Sequence, residues 1–386
     1  MIRVGFFAGA SSAVWQGGNN YLRNLLEALN DLPVRRVETM ILSGARSAPD
    51  FVADLRLARW HSPASLRRHS AAWVARKLMR TMMEKDCLLE RDLRTLGIQV
   101  LWHPGQVAPG PRIPTLAWIA DFQHVRLPQF FSARERRARN RDFASICRDA
   151  TRILVSSASA QRDLAAFDGD AVAKSRVLRF VANVPHPREL ASRAVLEAKY
   201  GFEGRYFFLP NQFWIHKNHR VVVEALSVLK ERGSPAMVLA SGNPSDYRHP
   251  GHYAGLLALA RSRGVADRFR PLGVVPYADL AALMWHSTAV INPSRFEGWS
   301  TTVEEAKSLG VPLLLSDIDV HREQQPPAAL YFDPDDAEGL ARAMRDFPDD
   351  RAARGRLAEA AARELPARRA EFARRFESYV LECLPR

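Results

Sequence analysis

Short apolar runs recur along the chain, and each is followed by a stretch whose apolar positions fall at helical spacing. In the first half the runs predicted as strands are Ile2–Ala8, Val37–Leu42, Val100–His103, Thr115–Ile119, Arg152–Ser156 and Arg176–Phe180. In the second half they are Tyr206–Leu209, Met237–Ser241, Phe269–Leu272, Ala289–Asn292, Pro312–Leu315 and Ala329–Phe332. Strand and helix in alternation is the pattern of an α/β protein with parallel sheets. The rhythm breaks at Val181–Leu190, where two prolines read as a linker. Two α/β domains are therefore expected, 1–185 and 186–364. The tail Leu365–Leu384 carries Phe372, Phe376 and Val380 on one helical stripe. It is expected to pack back on the first domain (365–386). Ligands of open α/β sheets bind beyond the carboxyl ends of the strands. Two such sheets facing each other would form a cleft with a ligand edge on each side.

A length of 386 residues suits two cores better than one. Hydrophobic content of 47% with 25% charged residues fits a soluble globular protein. No apolar window is long enough for a membrane span, and the N-terminus reads as a first buried strand and not as a signal peptide. Cys87, Cys147 and Cys383 show neither metal spacing nor a disulfide pattern, which suits a reducing cytosol. The excess of 55 Lys+Arg over 42 Asp+Glu favours polyanions or an anionic membrane surface, although an arginine-rich composition alone would also produce it.

Candidate chemistry concentrates at strand ends. Asn292–Gly310 lies between two apolar runs and reads as strand, loop, helix. Glu297 falls in the loop and Glu305 on the helix, with Gly298, Trp299, Ser300, Thr301 and Thr302 between them. A helix N-terminus there offers free N–H groups and a positive dipole end to an anion. Carboxylates on either side would accept hydroxyl hydrogen bonds. A ligand with phosphate in the middle and hydroxyls at both ends is a nucleotide sugar.

Pro210–His219 is a second loop between strand and helix. Lys217 near a helix start, where the dipole disfavours a cation, reads as a partner for a bound anion or as a solvated loop lysine, with Gln212, Asn218 and His219 adding donors. The loop after the first strand ends in Gly17 and Gly18, followed by Asn19, ahead of a helix pattern. It reads as a close backbone approach to phosphate or as a plain strand-to-helix turn. Asp121 and His124 fall in another loop at a strand end, as sugar or acceptor contacts or as structural residues, and His103 is a weaker case. Leu55–Arg80 alternates Arg and Lys with Trp, Leu and Met at helical spacing. That fits a membrane-surface helix or a solvated helix with its apolar stripe in the core. Single-stranded nucleic acid would also suit such a stretch, but no aromatic-rich recognition motif supports it. Asp335 and Asp336 sit in a Pro-flanked late loop and read as structural.

These residues together resemble the retaining GT-B glycosyltransferases of glycosyltransferase family 4. F-E-G-W-S-T-T-V-E-E-A-K-S-L-G is similar to the family's E-x7-E motif, and P-N-Q-F-W-I-H-K-N-H to its phosphate-binding loop. Gly273–Leu280 resembles the base-binding loop, and D-F-Q-H an acceptor-domain histidine motif. The resemblance covers nearly the whole chain and is thin from Phe51 to Lys85. It implies two Rossmann-like domains facing across a cleft and a retaining transfer of a hexose, mannose- or rhamnose-like, from a GDP- or UDP-linked donor. It implies Glu305 on the ribose, Glu297 on the donor sugar and Lys217 on the diphosphate with amides around Trp299–Thr301. Val274 and Tyr277 would lie at the base, Gly17 and Gly18 at the phosphates, His124 at the transferred sugar, and Asn19, Asp121 and His124 toward the acceptor. His124, Lys217 and Glu297 would be the catalytic set.

The acceptor implied is a saccharide or polyprenyl-diphosphate-linked saccharide of surface polysaccharide synthesis (O-antigen, capsule or exopolysaccharide), at the inner face of the cytoplasmic membrane. Neither a cofactor nor a metal is expected, because fixed donors and Lys217 can stabilise a leaving diphosphate. One departure is plain: the family places an arginine five residues before the lysine, and here Gln212 stands there. An epimerase or phosphorylase of the same fold, or a non-catalytic basic protein binding nucleic acid or lipid, are the alternatives.

Overall fold

The computed structural model describes residues 1–8, 16–45, 59–83, 86–103, 113–348 and 350–385. The strands in chain order are β1 (Ile2–Phe7), β2 (Val37–Leu42), β3 (Arg59–His61), β4 (Val100–His103), β5 (Thr115–Ile119), β6 (Arg152–Val155), β7 (Ser175–Val177), β8 (Phe207–Leu209), β9 (Val238–Ala240), β10 (Phe269–Pro271), β11 (Val290–Asn292), β12 (Leu313–Ser316) and β13 (Ala329–Phe332). They form two parallel sheets, ordered β3-β2-β1-β4-β5-β6-β7 and β10-β9-β8-β11-β12-β13. The chain divides into two compact units. One is Met1–Pro128, Ser132–Val181 and Arg368–Arg386; the other is Gln129–Phe131 and Ala182–Ala367.

The apolar runs formed strands because parallel strands covered on both faces bury every side chain. β4, β5, β8, β9, β11 and β12 are buried at each position. Each sheet also reverses its winding once. In the second, β8 leads to β9 and β10 on one side, while β11 returns to β8's other flank through Val290 beside Phe208. The carboxyl ends of β8 and β11 diverge from there, so a crevice opens between the loops that follow them.

Two sequence expectations in the first unit's N-terminal part need correction. Leu55–Arg80 is not one helical stretch. Among its described residues, Arg59–His61 is an edge strand paired with β2, and a helix begins only at Ala71 (Ala71–Met83). Three polar-leaning residues carry no detectable period; pairing of Met40 with Arg59 and Leu42 with His61, and the Trp60 Nε1 bond to Ser43 Oγ at 3.0 Å, define this strand. Gly17 and Gly18 do not precede their helix: both lie in the first turn of Gln16–Asn30, while Gly9–Trp15 falls outside the described residues.

The C-terminal helix starts earlier than its apolar stripe suggested, at Arg351, and runs 31 residues to Leu381. Its last part belongs to the first unit. Phe372, Phe376 and Val380 are buried there, Phe376 stacks on Phe6 at 5.5 Å, and buried Glu377 accepts from the amides of Arg36 and Val37 at 2.6 and 3.1 Å. Its earlier part lies against the second unit at Gly310. A Cβ on Gly310 would sit 2.5 Å from Ala358 Cα, and its φ of +70° is a left-handed helix cap, so glycine is required on both counts.

Candidate active site

The crevice in the second sheet is lined from its floor by two asparagines. Asn211 follows β8 and Asn292 ends β11, and Asn211 Nδ2 donates to Asn292 Oδ1 at 3.1 Å. Asn292 Nδ2 donates to Ser300 Oγ at 2.7 Å, Ser294 Oγ donates to Asn292 Oδ1 at 2.7 Å, and Thr302 Oγ1 donates to Asn211 Oδ1 at 3.2 Å. Ser316 Oγ, at the end of β12, donates to the Ser294 carbonyl at 2.5 Å. All these residues are buried, and a buried network with its amides satisfied holds one arrangement. The lysine loop and the glutamate loop are thereby fixed against each other. Gly242, after β9, closes the floor: a Cβ there would come 2.4 Å from the Asn211 carbonyl oxygen.

Lys217 ends a short 3-10 turn, Ile215–Lys217, just ahead of the helix His219–Glu231. Asn218 between them has a φ of +56°, and its Nδ2 ties the turn to the carbonyls of Pro293 and Pro334 at 3.1 and 2.8 Å. His219 is fully buried, stacks on Phe213 at 4.4 Å and lies 3.3 Å from the Asn211 carbonyl through Nε2. The Arg295 amide donates to the His216 carbonyl at 2.9 Å. The turn therefore delivers Lys217 Nζ to Glu297 Oε1 at 2.6 Å, with 18% and 9% of the two side chains exposed. Burial acts to raise the Glu297 pKa, but the Lys217 charge and hydrogen bonds from Lys217 and Ser294 outweigh it, so the carboxyl stays below its ordinary range.

Ser300 caps the helix Thr301–Leu309, its Oγ accepting from the Val303 amide at 3.3 Å. Gln324 braces the same corner. Its Oε1 accepts from the Ser300 amide at 3.3 Å, and its Nε2 donates to the Ser300 carbonyl at 3.0 Å and to Glu304 Oε1 at 3.2 Å. Glu305, one turn in, is 8% exposed, and burial pushes its carboxyl up to about 8 against a weaker opposing hydrogen bond from Tyr277. The Tyr277 hydroxyl also lies 3.2 Å from the Asn183 carbonyl, and Val274, three residues earlier, is exposed. Gln212 is half-buried, and its carbonyl accepts from the Trp214 amide at 2.7 Å. Asp335 pairs with Arg295 at 2.5 Å and Asp336 caps the helix Ala337–Arg345.

The second unit thus brings together Lys217 with Glu297, and Tyr277 with Glu305, around the start of one helix. Gly17, Gly18, Asn19, Asp121 and His124 belong to the first unit. Asn19 is half-buried on the helix Gln16–Asn30. Asp121 Oδ1 accepts from the Gln123 amide at 2.9 Å and opens the short helix Gln123–Arg126, which carries His124. His124 is buried, with Nε2 3.0 Å from Asn140 Oδ1 and the ring 5.0 Å from Phe143. Burial, then the Arg139 charge, lower its pKa. Sequence reasoning passed over Asn211, Ser316, His321 and Gln324. Asn292 begins the Asn292–Gly310 stretch, but nothing in the pattern marked it as the partner of Asn211.

Residues 196–364, in the unit that holds Lys217, Glu297 and Glu305, match the family described as Glycosyl transferases group 1. The glycogen synthase of Mycobacterium tuberculosis is 26% identical over 233 residues, 57% of this chain and 51% of the relative. O-antigen chain mannosyltransferase RfbU of Salmonella typhimurium is 26% identical over 142 residues, 37% of this chain and 38% of the relative. Anabaena HepE, solved in complex with UDP and glucose, superposes with a TM-score of 0.70 at 14% identity, covering 100% of both chains. The chain spans about half the length of the curated relatives it matches. The fold is that of the GT-B glycosyltransferases, as the sequence resemblance implied.

Proposed function

We propose that the protein transfers a hexose, mannose- or rhamnose-like, from a nucleoside-diphosphate sugar to a saccharide or lipid-linked saccharide of surface polysaccharide, with retention and without a metal. The observation that carries this reading is the Lys217–Glu297 pair at 2.6 Å beside the start of the helix Thr301–Leu309. A departing nucleoside diphosphate gathers negative charge, which Lys217 and the helix N-terminus meet while the site stays otherwise fixed. Glu297 is a hydroxyl acceptor for the sugar and Glu305 one for the ribose. A thermal-shift screen of GDP-, UDP- and dTDP-sugars followed by a product assay tests it. The expected result is stabilisation by one nucleotide class and sugar appearing on an added acceptor. Epimerised free nucleotide sugar without transfer would favour the alternative enzyme, and stabilisation by none would sink both.

The acceptor side of this reading places the protein at an anionic membrane surface. Among the described residues no helix is long and apolar enough to cross a membrane. The helix Ala71–Met83, however, exposes Val74, Leu78 and Met82 at every fourth position, by 46%, 61% and 84%. Exposed Arg67, Arg68 and Lys77 flank them, Lys77 lying 4.1 Å over the Trp73 ring. An apolar stripe beside basic residues suits an anionic lipid interface, each cation adding about 1 kcal/mol. Flotation with phosphatidylglycerol vesicles is expected to carry the protein up, phosphatidylcholine vesicles much less, and Leu78→Glu with Met82→Glu to abolish the difference. Equal flotation of wild type and variant would remove this helix from the interface.

A further inference from the structure

One buried group beside the Lys217–Glu297 pair has no part in the reading above. His321 lies on the helix Asp319–Gln324 that follows β12, and its side chain is fully buried. Its Nδ1 sits 2.9 Å from the Ser316 carbonyl oxygen. A carbonyl only accepts, so Nδ1 carries the ring proton and Nε2 is left with a bare lone pair. Ser316 Oγ, 3.2 Å from the same Nδ1, already spends its own proton on the Ser294 carbonyl, which leaves that assignment intact.

Among the described residues nothing within hydrogen-bond reach partners Nε2. A buried acceptor left unpaired costs about 1–3 kcal/mol, and such groups call for an explanation. The surroundings supply one. The charges of Glu297 and Lys217 both act on this ring, and His321 in turn acts on the Glu297 carboxyl. Burial pushes the imidazole down to about 4, so it is neutral across the physiological range and serves as an acceptor. Ser316 contacts the ring and donates to the Ser294 carbonyl, and the Ser294 side chain hydrogen-bonds Glu297, so the Glu297 carboxylate and the His321 ring belong to one connected corner beside Lys217. A molecule suited to that arrangement brings hydroxyl protons on its sugar and negative charge on its phosphates.

We infer that His321 is a further donor-sugar residue: its Nε2 accepts a hydrogen bond from a hydroxyl of the hexose that Glu297 holds, and so helps select which hexose is taken. This rests on the reading of Glu297 as a sugar clamp. Ser316 is the positioning residue, since its carbonyl fixes the tautomer and the ring's orientation.

His321→Asn keeps a donor near the Nδ1 position and removes the acceptor at Nε2; His321→Gln keeps an amide near the Nε2 position. The nucleotides used are GDP with GDP-mannose and UDP with UDP-glucose, taking whichever pair binds the wild type. His321→Asn is expected to raise KM for the nucleotide sugar about tenfold, leave affinity for the bare nucleoside diphosphate unchanged, and be largely rescued by His321→Gln. A parallel loss of affinity for both ligands, or no change in KM, would overturn the inference. If the variants fail to fold, 15N-histidine spectra of the wild type decide it. One Nε2 resonance should shift with the nucleotide sugar and stay put with the nucleoside diphosphate alone, and an identical response to both would be fatal. A wild type that binds neither ligand defeats the underlying reading as well, whereas one that binds both beside an indifferent His321→Asn defeats this inference alone.

Discussion

Lys217→Ala is expected to lower sugar transfer by about 10²–10³-fold, mainly through kcat, as removal of one preorganised donor to a developing oxyanion does elsewhere. The lysine is held by its turn and by Asn218, so little reorganisation is needed when charge appears on the diphosphate. The substitution also strands Glu297, whose carboxylate depends on Lys217 to offset its burial. Removing one partner of a buried pair destabilises because the other charge is left uncompensated. Lys217→Ala should therefore lose thermal stability as well as activity. Combining it with Glu297→Gln removes the stranded charge. The double variant is expected to regain stability while transfer stays low, and a thermodynamic cycle separates the two effects. The pair's contribution has a defined pH sense. Glu297 has a depressed pKa, so the stability it confers is present above the carboxylate's unfolded value and is lost as pH falls. Wild-type transfer by Lys217→Ala would refute the assignment.

Glu305 yields the second large effect, and its sign is opposite. Burial raises its carboxyl from 4.5 to about 8, so the folded protein keeps a proton that the unfolded chain gives up. The stability linked to that proton is full below about 4.5, declines as pH rises, and is gone above about 8. Glu305→Gln never ionises. Its melting temperature relative to wild type is therefore expected to climb between about pH 5 and pH 8 and to level off beyond. Binding carries a linked signature. If the ionised carboxylate accepts the ribose hydroxyls, nucleotide binding near neutral pH expels a proton. Calorimetry in buffers of different ionisation enthalpy should then show close to one proton released, and nucleotide affinity should rise with pH up to about 8, by up to tenfold per unit. No proton release, together with pH-independent affinity, would mean that Glu305 does not meet the ribose as a carboxylate.

These effects depend on features of differing legibility. Largely apolar runs such as Val100–His103 and Thr115–Ile119 marked strands at their observed bounds, because a strand buried on both faces is apolar at most of its positions. Arg59–His61 escaped notice because its identity as a strand comes from β2 and not from its own side chains. Gly17 and Gly18 were placed ahead of their helix because glycine reads as a breaker, yet both are accommodated in its first turn. The motif around Glu297 and Glu305 was visible as spacing. Spacing could not show that Lys217, eighty residues away, sits on Glu297, or that Asn211 clasps Asn292 beneath them.

The sequence by itself determined two parallel α/β units, their strand-end loops, and the residue types of the proposed nucleotide-sugar site. Periodicity and spacing record these because burial and backbone geometry act locally on side chains. The tertiary structure alone decided which residues face one another, and with that their charge. Glu297 is held ionised by a cation from another loop, Glu305 is driven toward neutrality by its surroundings, and His321 is turned by a carbonyl so that its free nitrogen is an acceptor. Desolvation and Coulomb interactions depend on distances across the fold, and those distances are set only once the sheets have formed.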